Sequence, residues 1–204
     1  MVVQGSRRLA LEVIEAARLL VEKELNTLSS GNVSAICRRE GFIVMTPSGL
    51  GKHDLSLRDL VYYDARRKVF LGSRKPTREY RLHTLVYEIN EKAGSVVHAH
   101  SPATIVVHAA RGIEALREAQ LVENEYVVGR ISEIEPAPPG SVELAERVAR
   151  ATLYSDVVII PNHGVVAVAS TPLEGVERIL ALETVAIHIV RETCVKTLVA
   201  RIFE

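Results

Sequence analysis

The 204-residue chain has no tryptophan, only three phenylalanines and two cysteines, and no excess of either charge: 25 basic residues balance 25 acidic ones. Each scarcity excludes something. Cys37 and Cys194 are far apart and show no C-x-x-C spacing, so no disulfide framework is indicated, and two core thiols in a reducing compartment are expected. Zero net charge gives no global field to draw the protein to nucleic acid or to an anionic membrane, so any anion site must be local. There is no basic stripe, and no G-x-G-x-x-G follows a strand, which excludes nucleic-acid and dinucleotide binding as the main role. No apolar stretch is long and charge-free enough to span a bilayer, and the N-terminus lacks the basic segment, apolar run and cleavage site of a secretory leader. A cytoplasmic protein is expected. With 48% hydrophobic and 25% charged residues and no repeat or linker, residues 1–204 are expected to form one domain.

Periodicity supplies the elements. Leu9, Val13, Ala16, Ala17, Leu20 and Val21 recur at helical spacing within Ser6 to Glu24, predicting an amphipathic first helix. From Val33 to Phe70, short apolar runs such as Val33–Ile36, Phe42–Met45 and Val61–Tyr63, separated by turn residues, predict a strand meander. Pro76-Thr77 predicts a helix start with Thr77 as N-cap, and Gly94 its close. A strand containing Val96-Val97-His98-Ala99-His100 follows, then a helix from Pro102 to Ala110. Gly112 to Ile134 has weak periodicity. Ser141 is a plausible N-cap, Asp156–Ile160 a buried strand, and Thr171-Pro172 opens a long final helix reaching the C-terminus.

Three histidines carry the chemistry. Alternate residues of a strand face the same side, so His98 and His100 can address one ion while Ala99 faces away. His163, in Asn162-His163-Gly164 at the end of another strand, supplies a third imidazole. Three protein ligands with an open position are the catalytic form of zinc coordination. Packing explains the trio poorly, because a buried imidazole without partners loses roughly 1–3 kcal/mol. His53, His83, His108 and His188 fall on loop or helix and are set aside. Glu79 and His83, at i and i+4, could share a helical face and imitate a ligand pair. Glu79 is the candidate proton-moving carboxylate beside the metal, against its simpler reading as a first-turn glutamate favoured by the helix dipole. Gly31-Asn32, Ser48-Gly49 and Thr77-Arg78 have the small, polar, turn-forming character of phosphate-cradling loops.

Read together, Ser30-Gly31-Asn32-Val33-Ser34, Thr46-Pro47-Ser48-Gly49, Lys75-Pro76-Thr77-Arg78-Glu79, the paired histidines and Asn162-His163-Gly164 resemble the class II aldolase/adducin family, closest to its fuculose-phosphate aldolase group. The resemblance spans nearly the whole chain. It implies a three-layer α/β/α fold with a mainly antiparallel central sheet, and a homotetramer with active sites between subunits. It also implies one zinc per subunit on His98, His100 and His163, with Glu79 as a ligand at rest and as acid/base. Manganese, iron or cobalt also suit such ligands. Gly31, Asn32, Ser48, Gly49, Thr77 and Arg78 match positions that bind the substrate phosphate. Where the family commonly has Ser-Ser-Glu, this chain has Thr77-Arg78-Glu79, so a guanidinium replaces a hydroxyl. The family's proton-donating tyrosine comes from a neighbouring subunit, and Tyr126 is its nearest match.

The implied reaction is reversible cleavage of a ketose 1-phosphate into dihydroxyacetone phosphate and an aldehyde. No Schiff-base lysine is required. The same family includes pentulose-phosphate 4-epimerases and a methylthioribulose-phosphate dehydratase, whose reactions such a site also serves, and the non-catalytic adducin head domain, which lacks the metal ligands.

Overall fold

The computed structural model describes residues 4–203, so Met1 to Val3 and Glu204, which the one-domain and C-terminal-helix expectations include, lie outside the described residues. Eight strands form one sheet in the order β4-β3-β2-β1-β5-β8-β7-β6. They are β1 (Asn32–Cys37), β2 (Phe42–Met45), β3 (Val61–Asp64), β4 (Val69–Leu71), β5 (Ser95–Ala99), β6 (Ile131–Glu133), β7 (Val157–Ile160) and β8 (Gly164–Ala169). Every pairing is antiparallel except that of β6 with β7. The expected mainly antiparallel α/β architecture is the one observed.

Strand alternation sorts the core into two layers. Val33, Ala35, Val97, Ala99, Val165 and Ala167 face a cluster built with α1 (Gln4–Glu22), α3 (Pro102–Arg111), the single turn α4 (Glu114–Arg117) and α6 (Pro172–Phe203). Met45, Val61, Val96, Val166 and Val168 face the opposite cluster, covered by α2 (Tyr80–Ile89) and α5 (Val142–Ala151), which pack on each other. His98 alternates with Val97 and Ala99, so it joins the α2 face.

Most elements lie where periodicity placed them, and the caps explain why. Ser141 Oγ accepts the Leu144 N–H at 3.0 Å, and Thr171 Oγ1 accepts the Glu174 N–H at 3.2 Å. Three differences stand out. The helix expected from Thr77 to Gly94 spans only Tyr80–Ile89, with Glu79 in the N-cap position. Thr77 does not cap it, because Pro76 forms a β-bridge with Pro47 that holds this segment extended, and Thr77 Oγ1 accepts the Glu79 N–H at 3.4 Å. Strand β4 runs one residue past the meander expected to end at Phe70, is exposed throughout and pairs with β3. The weakly periodic stretch holds α4, one π-helical turn at Asn124–Val128 and the edge strand β6.

One buried carboxylate fixes the chain just past the paired histidines. Ser101 sits at φ +27°, which a non-glycine residue rarely adopts. Glu183 of α6 reaches across to accept hydrogen bonds from Ser101 Oγ (2.8 Å), the Ala103 N–H (2.8 Å), the Thr104 N–H (2.9 Å) and Thr104 Oγ1 (2.9 Å). It satisfies the free amides at the start of α3 and holds the Ser101 turn. Replacing Glu183 with alanine strands these buried donors and is expected to destabilise the protein by about 1–3 kcal/mol, read from the urea midpoint at unchanged m-value.

Candidate metal centre and active site

The site lies at the end of the sheet where β1, β5 and the β7–β8 turn converge. Asn32 is the register partner of His98 across β1–β5, and His98 pairs with Val166 across β5–β8. The β7–β8 turn carries Asn162 at φ +57°, a left-handed conformation that asparagine tolerates. Gly164 follows it, and a Cβ there would lie 2.2 Å from the Ala99 carbonyl oxygen. Only glycine allows this approach, which sets His163 against His98 of β5 and His100 just past the strand's end. Ring centroids of His98, His100 and His163 are 4.9–5.4 Å apart, and one nitrogen from each lies within 4.8 Å of the others.

The donor chemistry of this cluster suits a divalent cation. His98 Nδ1 is 2.9 Å from the Val165 carbonyl oxygen, so Nδ1 carries the proton and Nε2 is left as a lone pair. Buried His98 Nε2, His163 Nδ1 and Glu79 Oε1 have no hydrogen-bond partner. Glu79 Oε2 lies 3.4 Å from His98 Nε2, so two electron-rich atoms face each other with no proton between them. A cation resolves that conflict. Burial, then the neighbouring His98 and His163, push His100 down to about 4, with Glu79 opposing. Burial followed by His98 also lowers His163 against Glu79. Both imidazoles are thereby kept in the neutral, ligating form. Burial pushes the Glu79 carboxyl up, but His98, the Asn32 hydrogen bond, His163 and His83 outweigh it and hold the group below its ordinary value.

His83, a helical residue outside the expected metal set, joins this network in the folded chain. The side chain is fully buried. Its ring joins a chain of hydrogen bonds with one consistent polarity: Tyr87 O–H to Ser34 Oγ (2.8 Å), Ser34 O–H to His83 Nδ1 (2.6 Å), His83 Nε2–H to Asn32 Oδ1, and the Asn32 amide to Glu79 Oε2 (2.8 Å). That polarity needs a neutral His83. Burial pushes its pKa down from 6.5 to about 4, helped by His98 and opposed by Glu79. Serine and asparagine at alternate positions of β1, facing a histidine one turn beyond Glu79, were the available signal.

The remaining candidates share one cavity of about 290 Å³, lined by Gly31, Asn32, Ser48, Gly49, Thr77, Arg78, Glu79, His100 and His163, together with Ser29, Ser30, Pro47, Pro139 and Lys52. Gly31 (φ +64°) and Gly49 (φ +76°) both need the left-handed region. Arg78 is exposed at the rim, and Lys52, which no motif singled out, is buried. Tyr126 lies on the π-helical turn, 74% exposed, and does not line this cavity. A larger hollow of about 890 Å³ runs along Arg117–Val122 and Gly129–Ser132 and contains none of the three histidines.

A mainly antiparallel sheet between helical layers, with three histidines and a carboxylate gathered at one end, defines a metal-dependent α/β enzyme. The chain belongs to the class II aldolase and adducin family, whose Class II Aldolase and Adducin N-terminal domain matches residues 11–189. It is an enzyme of the metal-dependent aldolase class. It is 32% identical to the L-fuculose phosphate aldolase of Methanococcus maripaludis over 86% of this chain and 92% of that protein. It is 26% identical to the 3-oxo-tetronate 4-phosphate decarboxylase of Haemophilus influenzae over 85% of this chain and 83% of that one. A solved structure of an L-fuculose 1-phosphate aldolase superposes with a TM-score of 0.77 at 26% identity, covering 91% of this chain and 87% of that one.

Because the folded state depresses the His83 pKa, the unfolded chain binds more protons between pH 6.5 and about 4. Stability of the chelator-treated protein is therefore expected to fall as the pH drops through that window, by roughly 3 kcal/mol from His83 alone. Urea midpoints measured across the window give the slope, and Glu79 and His98 must stay intact because both face the ring. Adding zinc at about 100 times its Kd should restore roughly 2.7 kcal/mol at neutral pH, seen as a chelator-reversible rise in Tm.

Proposed function

We propose that this chain is a zinc-dependent aldolase that reversibly cleaves a ketose 1-phosphate of the fuculose 1-phosphate type into dihydroxyacetone phosphate and an aldehyde. The observation that carries the proposal is the partnerless Glu79 Oε1 beside three lone-pair-bearing imidazoles at the wall of a cavity lined by Gly31, Asn32, Ser48, Gly49, Thr77 and Arg78. His98, His100, His163 and, at rest, Glu79 would hold the ion. When bound, zinc supplies a Lewis acid that polarises the substrate carbonyl.

The chain's own residues do the rest. Glu79 moves the proton at the carbon next to the carbonyl through Oε1, because Oε2 is occupied by the Asn32 amide. Gly31, Asn32, Ser48 and Gly49 bind the phosphate through their loop amides, with Thr77 and Arg78 beside them, and thereby position the reacting carbons. Tyr126 is the candidate proton donor to a neighbouring subunit, a role its exposure supports. The proposed homotetramer also accounts for the exposed end of α6, where Leu198 is 60% and Ile202 73% exposed. A cytoplasmic location fits the composition.

Epimerase and dehydratase chemistry use the same site, and the decarboxylase relative favours keeping decarboxylation as a further alternative. The buried unpaired ligands argue against an adducin-like module without a metal.

The deciding experiment follows dihydroxyacetone phosphate release from fuculose 1-phosphate before and after chelation and zinc replacement. Metal-restored release is expected, whereas zinc binding without release moves the assignment to the alternatives. Glu79→Gln is expected to keep the fold and to lose about 10²–10⁴-fold in hydrogen-isotope exchange into dihydroxyacetone phosphate. Normal exchange would overturn the role given to Glu79.

A further inference from the structure

Lys52 is 3% exposed and lines the cavity with both proposed phosphate loops. Its backbone N–H donates to the Leu28 carbonyl at 2.8 Å. Its Nζ reaches the carbonyl oxygens of Ser29 (3.4 Å) and Leu50 (3.3 Å), two long hydrogen bonds that join the 28–31 segment to the 48–50 turn. The acid nearest in sequence, Asp54, is paired with His53 at 2.9 Å. Among the described residues no carboxylate forms an ion pair with Lys52, and burial lowers its pKa. A buried cation without a counter-ion is costly, and such charges are ordinarily paired.

The cavity explains the missing partner. Nothing else lining its Ser29–Asn32 and Pro47–Gly49 walls is charged, and Arg78 lies at the rim. An added Cβ at Gly49 meets nothing within 4 Å, so the turn opens on free space. Hydroxyl and amide donors orient a phosphate but do not balance its two negative charges. Two carbonyl acceptors favour an ammonium over a free amine, which makes Lys52 a cation for an anion and not a Schiff-base nucleophile.

We propose that Lys52 is the buried counter-ion of the substrate's phosphomonoester dianion, and that it makes the enzyme selective for phosphorylated over unphosphorylated ketoses. The incoming dianion offsets the burial cost of the ammonium, and the ammonium neutralises charge that loop amides leave uncovered. The inference rests on the reading of this cavity as a phosphate site.

Inorganic phosphate is the probe, measured by calorimetry on the zinc-loaded full chain and as a competitive inhibitor of ketose 1-phosphate cleavage. Two variants separate charge from structure. Lys52→Met removes the charge and the hydrogen bonds, whereas Lys52→Gln removes the charge and keeps an amide donor for the Ser29 and Leu50 carbonyls. Both are expected to weaken phosphate roughly 10- to 100-fold and to lower kcat/KM for the phosphorylated ketose at least as much. Their Tm should be unchanged or higher, and KM for the unphosphorylated ketose unchanged. If Lys52→Gln binds phosphate like the wild type, Lys52 is a loop clasp and the proposal is overturned, whatever Lys52→Met does. A lowered Tm with loss of both substrates in both variants overturns it equally. Wild-type protein that cleaves ketose 1-phosphate yet ignores inorganic phosphate overturns the Lys52 role alone, and wild-type protein indifferent to phosphorylated ketoses overturns the phosphate site and Lys52 together.

Discussion

Four side chains that present unshared electron pairs are crowded together at one end of the sheet, and much of the surrounding structure serves to hold them there. His98 Nε2, His163 Nδ1 and Glu79 Oε1 are buried without donors, and His98 faces a carboxylate oxygen at 3.4 Å. Such a cluster is unfavourable without a cation, so the scaffold must impose it. It does so by register, with β1 setting Asn32 opposite His98 and β8 setting Val166 on its other side. The glycine after His163 brings the third imidazole in by letting two backbones approach.

The imposed cluster is braced from two directions. Toward α2, the polar chain from Tyr87 through Ser34, His83 and Asn32 ends on Glu79 and engages only one of its carboxylate oxygens. Each link joins a donor to an acceptor, so the chain fixes an orientation and leaves only Glu79 Oε1 at its end unmet. Toward α6, Glu183 fastens the Ser101 turn immediately after His100. Both braces are polar and buried, and each spends stability terms elsewhere available to apolar packing. The apolar layers on either face of the sheet supply the stability that permits this.

The substrate side obeys the same logic in reverse. The three histidines and Glu79 crowd negative and lone-pair character together, whereas the Ser29–Asn32 and Pro47–Gly49 walls offer donors and one buried ammonium. A sugar phosphate lying across the cavity would meet each with its complement, carbonyl oxygen toward the ion and phosphate toward the lysine. Opposite polarities at the two ends of one small cavity orient a substrate before any proton moves.

The sequence by itself determined the features that depend on local spacing. Alternation put His98 and His100 on one face, hydrophobic periodicity placed most helices and strands, and Ser141 and Thr171 announced two helix starts. Those signals are carried by neighbours along the chain, where residue order fixes geometry. What the tertiary structure decided depends on partners far away in sequence. Thr77 reads as an N-cap until Pro47 pairs with Pro76. Strand β4 closes the meander without buried/exposed alternation, being exposed throughout, and its pairing with β3 sets its extent. His83 looks like an ordinary helical histidine until β1 presents Ser34 and Asn32 to it, and Lys52 like a surface lysine until two loops close over it. Spacing along the chain names the groups able to do chemistry, but burial and partners, which give each its charge and direction, exist only once the chain has folded.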